Sequence, residues 1–164
     1  MQTKDFDPKK ELIFDLKVAE ACRSCKRFGL VGCCPPNIGT FDYYKKLLKK
    51  YSNGKIFVEK FIVDDPKNWK ELGRTSSLEL HKVLLKEREK LFNKGFVFNI
   101  ILSGGSCKYC KECSIPCKFP QFRAIPIEGT GINVIATLAK LGMFIHFPVK
   151  KIYYRVGAIL WDEI

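Results

Sequence analysis

The stretch "GGSCKYCKECSIPCKF", residues 104–119, constrains the fold of this chain more than any other feature of the sequence. Four cysteines fall within eleven positions with the spacing C-x2-C-x2-C-x3-C: Cys107, Cys110, Cys113 and Cys117. Thiols this crowded seldom serve ordinary packing, and the short spacing makes the backbone curl around whatever the sulfurs share. The segment is therefore expected to hold a metal site or a set of disulfides.

A second group of cysteines lies upstream in "CRSCKRFGLVGCCPP": Cys22, Cys25, Cys33 and Cys34. The N-terminal residues lack the apolar stretch of a secretory signal, and no apolar run approaches the roughly 18 residues that span a bilayer. We therefore expect a cytoplasmic protein with no membrane partner. Thiols stay reduced in that compartment, where clustered cysteines are more often metal ligands or redox catalysts than structural disulfides.

The spacing of the downstream group matches the run of bacterial ferredoxins. Three cysteines two residues apart can wrap a four-iron cubane, and the fourth, carried past the loop, usually ligates a different cluster. In ferredoxins a proline directly follows the fourth cysteine, whereas Cys117 is followed by Lys118 and Phe119, with Pro120 three positions on. The match is incomplete, but it favours an iron–sulfur centre.

Eight cysteines are enough for two four-iron clusters, and one arrangement uses them all. The first cluster takes Cys107, Cys110, Cys113 and one member of the adjacent Cys33–Cys34 pair. The second takes Cys22, Cys25, the other member of that pair and Cys117. Adjacent side chains diverge, so we do not expect both members to bind the same cluster. A single cluster with spare cysteines stays open.

Two other kinds of site remain open. Zinc could be held by two C-x2-C pairs, Cys22/Cys25 and Cys107/Cys110, and redox-active disulfides are a third option. For an iron–sulfur cluster, Gly104 and Gly105 would let backbone N–H groups approach the cluster sulfurs; the same glycines also suit a tight turn after a strand. The histidines, His81 and His146, are expected to be structural or surface residues.

The rest of the chain predicts a single domain, residues 1–164, of α/β (or α+β) class. A helix is expected from an N-cap at Thr40, a strand over 55–63, a helix from a capping box at Ser76 to Gly95, and a buried strand over 96–102. A further helix is expected over 130–141, with Ile132, Ile135 and Leu138 inward, and strands over 143–147 and 152–161. A crossover would make the strands at 55–63 and 96–102 parallel, with the cysteine segment at the carboxyl end of the second. We expect a mixed β-sheet with helices packed against it and cysteine-rich loops at one end.

The formal net charge of +12 would fall to about +8 if two clusters were bound, because each four-thiolate cluster carries about −2. Basic surface would remain to meet an acidic redox partner protein, an anionic ligand or nucleic acid. The spacing of the helical lysines is more typical of solvated helix faces than of a nucleic-acid-binding stripe: Lys45, Lys46, Lys49, Lys50, Lys82, Lys86, Lys90 and Lys94.

The two cysteine motifs together resemble a family of predicted metal-binding proteins, domain of unknown function 2284. The first motif of that family is matched by Cys22, Cys25, Phe28-Gly29 and Cys34-Pro35-Pro36. The second is matched by Gly104, Gly105, Cys107, Cys110, Cys113, Cys117 and Pro120, and a later G-I-D-V segment by Gly131-Ile132-Asn133-Val134. Cys33 is additional to the family pattern. The resemblance implies metal binding and leaves the reaction open, because the family is assigned none.

These observations predict a protein that binds one or two [4Fe-4S] clusters and transfers electrons, or assists an anaerobic redox enzyme. The alternatives are a zinc-stabilised basic module that binds nucleic acid, and a cluster-dependent enzyme with one iron left open to substrate.

Overall fold

The computed structural model describes residues 1–63, 65–146 and 151–162. Within these ranges the chain forms five strands and five α-helices, together with short 3-10 turns. In chain order they are β1 Gln2–Phe6, α1 Pro8–Glu11, α2 Leu16–Ala21, α3 Phe41–Leu48, β2 Asn53–Ile62, α4 Trp69–Asn93, β3 Asn99–Ser103, β4 Ile125–Pro126, α5 Val134–Lys140 and β5 Ile152–Trp161.

The strands form one mixed sheet in the order β1-β2-β5-β3-β4. The last strand, β5, lies in the middle and is antiparallel to both β2 and β3. The strands β2 and β3 therefore run parallel to each other, as predicted, although β5 separates them. Only β3 and β4 pair in parallel among the described strands.

Helices cover both faces of the sheet because apolar side chains alternate along its strands. On one face, Leu80 and Leu84 of α4 pack with Phe57, Ile101 and Ile159. The other face carries a larger buried cluster, which includes residues of α3, α5, β2 and β5: Tyr44, Leu48, Leu138, Ile56, Val58, Ala158 and Leu160. The mixed sheet with helices against it confirms the predicted fold class.

The two shorter predicted helices form with their own side-chain caps. The hydroxyl of Thr40 accepts a hydrogen bond from the Tyr43 N–H at 3.3 Å, so the cap predicted for α3 is confirmed. In α5 the side chain of Asn133 accepts from the Ala136 N–H at 3.0 Å, and the helix begins at Val134, four residues later than predicted. Leu138 points inward as expected, but Ile135 is 50% exposed and that part of the prediction was wrong.

A helix start and a short strand predicted from the sequence were also wrong. The long helix α4 begins at Trp69, and Ser76 lies buried inside it instead of capping it. The Ser76 hydroxyl donates to the Gly73 carbonyl and accepts from Arg155 Nε at 3.3 Å, so it needs no free helix end. Residues 143–146, where a strand was predicted, form none. The chain there directly follows α5, and the Met143 N–H bonds back to Leu138 O. Residue 147, the last of the predicted strand, lies outside the described ranges.

Among the described residues, no helix combines the length and the apolar character needed to cross a membrane.

Candidate metal centre

The downstream cysteine segment leaves the carboxyl end of β3, as predicted, through the turn at Gly104 and Gly105. The Gly104 N–H donates to Val156 O at 2.8 Å, and the Gly105 N–H donates to Glu128 Oε2 at 3.2 Å. Gly105 has a φ of +81°, a conformation that favours glycine. Both N–H groups therefore bond to oxygen acceptors. Of the two roles predicted for these glycines, the structure shows the tight turn. Residues 107–119 then form neither helix nor strand.

The upstream segment begins where α2 ends. Cys22 opens a 3-10 turn that closes with a hydrogen bond from the Cys25 N–H to Cys22 O at 3.0 Å. The Arg27 N–H lies 3.5 Å from the Cys25 sulfur, and the Cys34 N–H bonds to Val31 O at 2.9 Å. A chain of local turns therefore presents these thiols from an irregular loop.

The two cysteine segments meet through backbone N–H groups that point at sulfur. Cys107 N–H donates to Cys33 Sγ at 3.1 Å, and Gly32 N–H donates to Cys113 Sγ at 3.3 Å. A Cβ on Gly32 would lie only 2.5 Å from Ser114 O, so the approach of the two loops requires glycine at this position. N–H groups directed at thiolates are typical of the surroundings of iron–sulfur clusters. Sequence reasoning missed Gly32, whose only signal is its position next to the cysteine pair.

Cys33 and Cys34 are buried and their sulfurs lie 3.9 Å apart. The hydrogen bond between them raises the pKa of Cys33 and lowers the pKa of Cys34, because one thiol donates its proton to the other. Each of the eight cysteines is a free thiol in this structure.

The electrostatic contacts among the thiols group seven of them into two sets, and Cys33 interacts with both, through Cys34 and through Cys107. Burial raises the pKa of Cys22, with further contributions from Glu128 and Cys25, and the charges of Cys25 and Cys22 also act on Cys34. We call these three thiols the upstream set.

The downstream set consists of the other four of these seven thiols: Cys107, Cys110, Cys113 and Cys117. Burial raises the pKa of Cys107, to which Cys33 and Cys117 contribute, and partial burial together with Cys107, Cys117 and Cys113 raises the pKa of Cys110. Cys117 therefore acts on neighbours in its own segment. The prediction that Cys117 serves as a ligand with the upstream group stays a prediction.

His81 is the neighbour of the downstream set that the sequence did not indicate. It is buried on α4, with Nε2 3.0 Å from Phe122 O and Nδ1 3.4 Å from the Lys108 N–H and 3.9 Å from Cys107 Sγ. Burial lowers the pKa of His81, and the bond to Phe122 partly opposes this. No local signal could find it, because α4 carries it to the site from 26 residues upstream. His146 is exposed, as expected for a surface residue.

A cleft of about 1540 Å³ lies between the two cysteine segments and the start of α4. Six thiols line it: Cys22, Cys25, Cys34, Cys107, Cys110 and Cys113. In the part of the chain that the structure describes, no three Cys, His, Asp or Glu side chains converge closely enough to hold a single metal ion. The donors are thiols spread around a shared space with N–H groups behind them, and this donor set fits a multi-iron cluster.

Comparison with known proteins supports a metal-binding role. The family model for predicted metal-binding proteins, DUF2284, matches residues 8–161, a range that includes both cysteine segments. Comparisons with curated proteins and with solved structures give no significant match. Because the family model covers nearly the whole chain, the protein belongs to the DUF2284 family of predicted metal-binding proteins.

Proposed function

We propose that this protein carries one or two [4Fe-4S] clusters on its two cysteine segments and transfers electrons, either alone or as an accessory of an anaerobic redox enzyme. The observation that supports this most directly is the meeting of the two segments, in which backbone N–H groups of one point at sulfurs of the other. Such donors stabilise thiolates bound to iron and tune the potential of a cluster. We also propose a cytoplasmic location, where clustered thiols stay reduced and able to bind metal.

The number and spread of the thiols favour iron–sulfur over zinc. A tetrahedral zinc site uses four ligands at about 2.3 Å from the ion, which puts the sulfurs close together. The pairs Cys22/Cys25 and Cys107/Cys110 line the same cleft, but among the described residues no three cysteine, histidine or acidic side chains converge closely enough to hold one metal ion. One zinc ion across both pairs would need the loops to close further.

The two sets also support a second candidate, a cluster-dependent enzyme with an open iron. The downstream set supplies four cysteines, whereas the upstream set supplies three, Cys22, Cys25 and Cys34, all facing the cleft. A cluster held by these three would have one iron without a cysteine. Whether Cys33 fills that position decides between the electron-transfer protein and the enzyme.

The surface around the cysteine segments suits an acidic redox partner. Large apolar side chains are exposed at Phe122, just beyond these segments, and at five positions within them: Phe28, Leu30, Tyr109, Ile115 and Phe119. Exposed cations lie among them in the sequence: Arg23, Lys26, Lys111 and Lys118. Exposed apolar side chains with cations close to them along the chain favour docking of a protein with an acidic surface, and such docking weakens as salt rises. Nucleic acid is the less favoured partner.

Metal analysis of protein purified without oxygen tests the proposal. We expect a brown protein with broad absorption at about 400 nm and about four iron and four sulfide for each cluster. A colourless protein with one tightly held zinc would overturn it.

Electron paramagnetic resonance of the reduced protein then separates the two candidates. Cys33→Ser should alter a cluster spectrum if Cys33 is a ligand, whereas an unchanged spectrum supports the open iron. Cys117→Ser serves as the matched comparison, because it should disturb the cluster of the downstream set.

A further inference from the structure

The start of α4 forms a polar wall of the cleft. Lys70, Gly73, Arg74, Ser77 and Leu78 all line the cleft, and their spacing places them on one face of the helix. The side chains of Lys70 and Arg74 are exposed, so their charges are accessible to a ligand from solvent. The face carries two cations and a glycine, and Leu78 is its one large apolar side chain.

Arg155 of β5 extends this wall and is fixed in position by three neutral acceptors. Its Nη2 donates to Gly73 O at 2.8 Å, its Nη1 to Gly104 O at 2.9 Å, and its Nε to Ser76 Oγ at 3.3 Å. No described carboxylate pairs with it. The guanidinium is thus held rigidly while its charge is unneutralised, which is the arrangement that binds an anion at low entropic cost.

The charges of the cleft are strongly unbalanced. Among the described residues that line it, Glu128 is the single acidic side chain, against seven cations: Lys17, Arg27, Lys70, Arg74, Lys108, Lys111 and Arg155. None of the seven belongs to an ion pair among the described residues. The difference is six positive charges, and two clusters at about −2 each would leave about +2. The clusters alone therefore do not neutralise the cleft.

We propose that the cleft binds a small, multiply charged anion bearing phosphate or carboxylate groups, held by Lys70, Arg74 and Arg155 beside the cysteines. A volume of about 1540 Å³ exceeds the roughly 300–1,000 Å³ of common small-molecule sites, so a ligand fits together with a metal centre. The cations line a concave cleft, which favours a small ligand over nucleic acid. This site goes beyond metal binding, and it does not depend on which metal the thiols hold.

Titration calorimetry of the metal-loaded protein, with inorganic pyrophosphate and with citrate at 0.15 M salt, tests the site. We expect saturable binding of one anion per chain, and the tighter of the two probes identifies phosphate or carboxylate as the preferred group. Arg74→Gln should weaken binding by about tenfold or more, because a charge-assisted hydrogen bond is worth at least about that factor. Lys70→Gln should act in the same direction.

Lys86→Gln is the matched control, because it removes one charge from an exposed position of the same helix outside the cleft. Binding in this variant should stay within about twofold of wild type, since Lys86 does not line the cleft and its longer-range attraction for an anion is screened at this salt. Equal losses in Arg74→Gln and Lys86→Gln, or no saturable binding of either probe, would overturn the site. The site would also be overturned if a single-stranded oligonucleotide bound more tightly than both probes and Lys86→Gln weakened that binding.

Iron and sulfide measured on the same samples keep this test separate from the proposed function. Anion binding with zinc in place of iron would refute the iron–sulfur proposal alone. A full complement of clusters without anion binding would refute the anion site alone.

Discussion

Substitution of Gly32 by alanine should separate the two cysteine segments and weaken metal retention. The added Cβ would lie 2.5 Å from Ser114 O, whereas ordinary contact begins at 3.4 Å, so the loops must move apart by about 0.9 Å. The backbone φ of Gly32 lies outside the left-handed region, and the cost is therefore steric. Overpacking of this kind costs about 1–3 kcal/mol.

The displacement acts directly on a sulfur. Gly32 N–H donates to Cys113 Sγ at 3.3 Å, and a shift of about 0.9 Å would lengthen this bond beyond hydrogen-bond range. We expect Gly32→Ala to bind less iron and to lose it faster to a chelator under anaerobic conditions. The metal-free protein should also melt lower, by about 2–4 °C for each kcal/mol lost.

Gly73→Ala provides the control, because it adds the same methyl group to the other wall of the cleft. Its Cβ would meet Arg155 Nη2 at 3.8 Å, which is ordinary contact, and alanine inside a helix gains about 0.5–1 kcal/mol over glycine. This variant should keep its metal and melt slightly higher. Wild-type iron content and chelator resistance in Gly32→Ala would refute the reasoning, since the close approach of the loops would then be unnecessary for the site.

Three further predictions concern the stability of the fold. Asn133→Ala should cost about 1 kcal/mol of unfolding free energy by removing the cap of α5, and Asn133→Asp, which keeps the accepting oxygen, should cost little; equal losses would exclude the cap. Glu87→Gln should cost about 0.5–1 kcal/mol through its pair with Lys55, at 2.8 Å. Lys55 holds the pKa of Glu87 below the ordinary 4.5. The pair therefore stabilises the fold above pH 4.5, and this stabilisation disappears as the pH falls through the lowered pKa of Glu87. Below that pKa, urea titration should find the same free energy of unfolding in the variant and in wild type. Gly157→Ala would place Cβ 2.9 Å from Leu80 Cδ2, under α4, and should lower the melting temperature by an amount equivalent to about 1–3 kcal/mol; an unchanged melting temperature would show that the helix can shift.

The sequence predicted the parts of this molecule that depend on local chemistry. The spacing of Cys107 to Cys117 identified a loop at the end of a strand, and Thr40 identified a helix start, because both signals lie within a few residues. The strand β1 was missed, since Gln2 to Asp5 are exposed along a sheet edge and carry no alternating apolar pattern. The central position of β5 also depends on pairing across the sheet, which no local pattern records.

The same distinction explains which features of the candidate site were missed. His81 lies beside Cys107 and Arg155 beside Gly104 only because α4 and β5 bring them there. Lysines and arginines on a helix usually signal a solvated face, so nothing near Lys70 or Arg74 in the sequence marks that stretch of helix as a wall of a cleft. The start of α4 was misplaced at Ser76 for a related reason, because the serine serves Arg155 and not the helix terminus.

Metal binding and the position of the upstream loop are expected to be coupled. Between α2 and α3 the chain has no regular element beyond the 3-10 turn at Cys22–Ser24. Its polar contacts with the downstream part of the chain include the hydrogen bonds from Gly32 N–H to Cys113 Sγ and from Arg123 Nη1 to Gly32 O, the latter at 3.5 Å. Backbone hydrogen bonds to sulfur strengthen when the sulfur is a thiolate, so they stabilise the loop most when the thiols have lost their protons to metal. The energy of metal binding would then order the part of the cleft wall that the upstream loop forms, in addition to holding the metal.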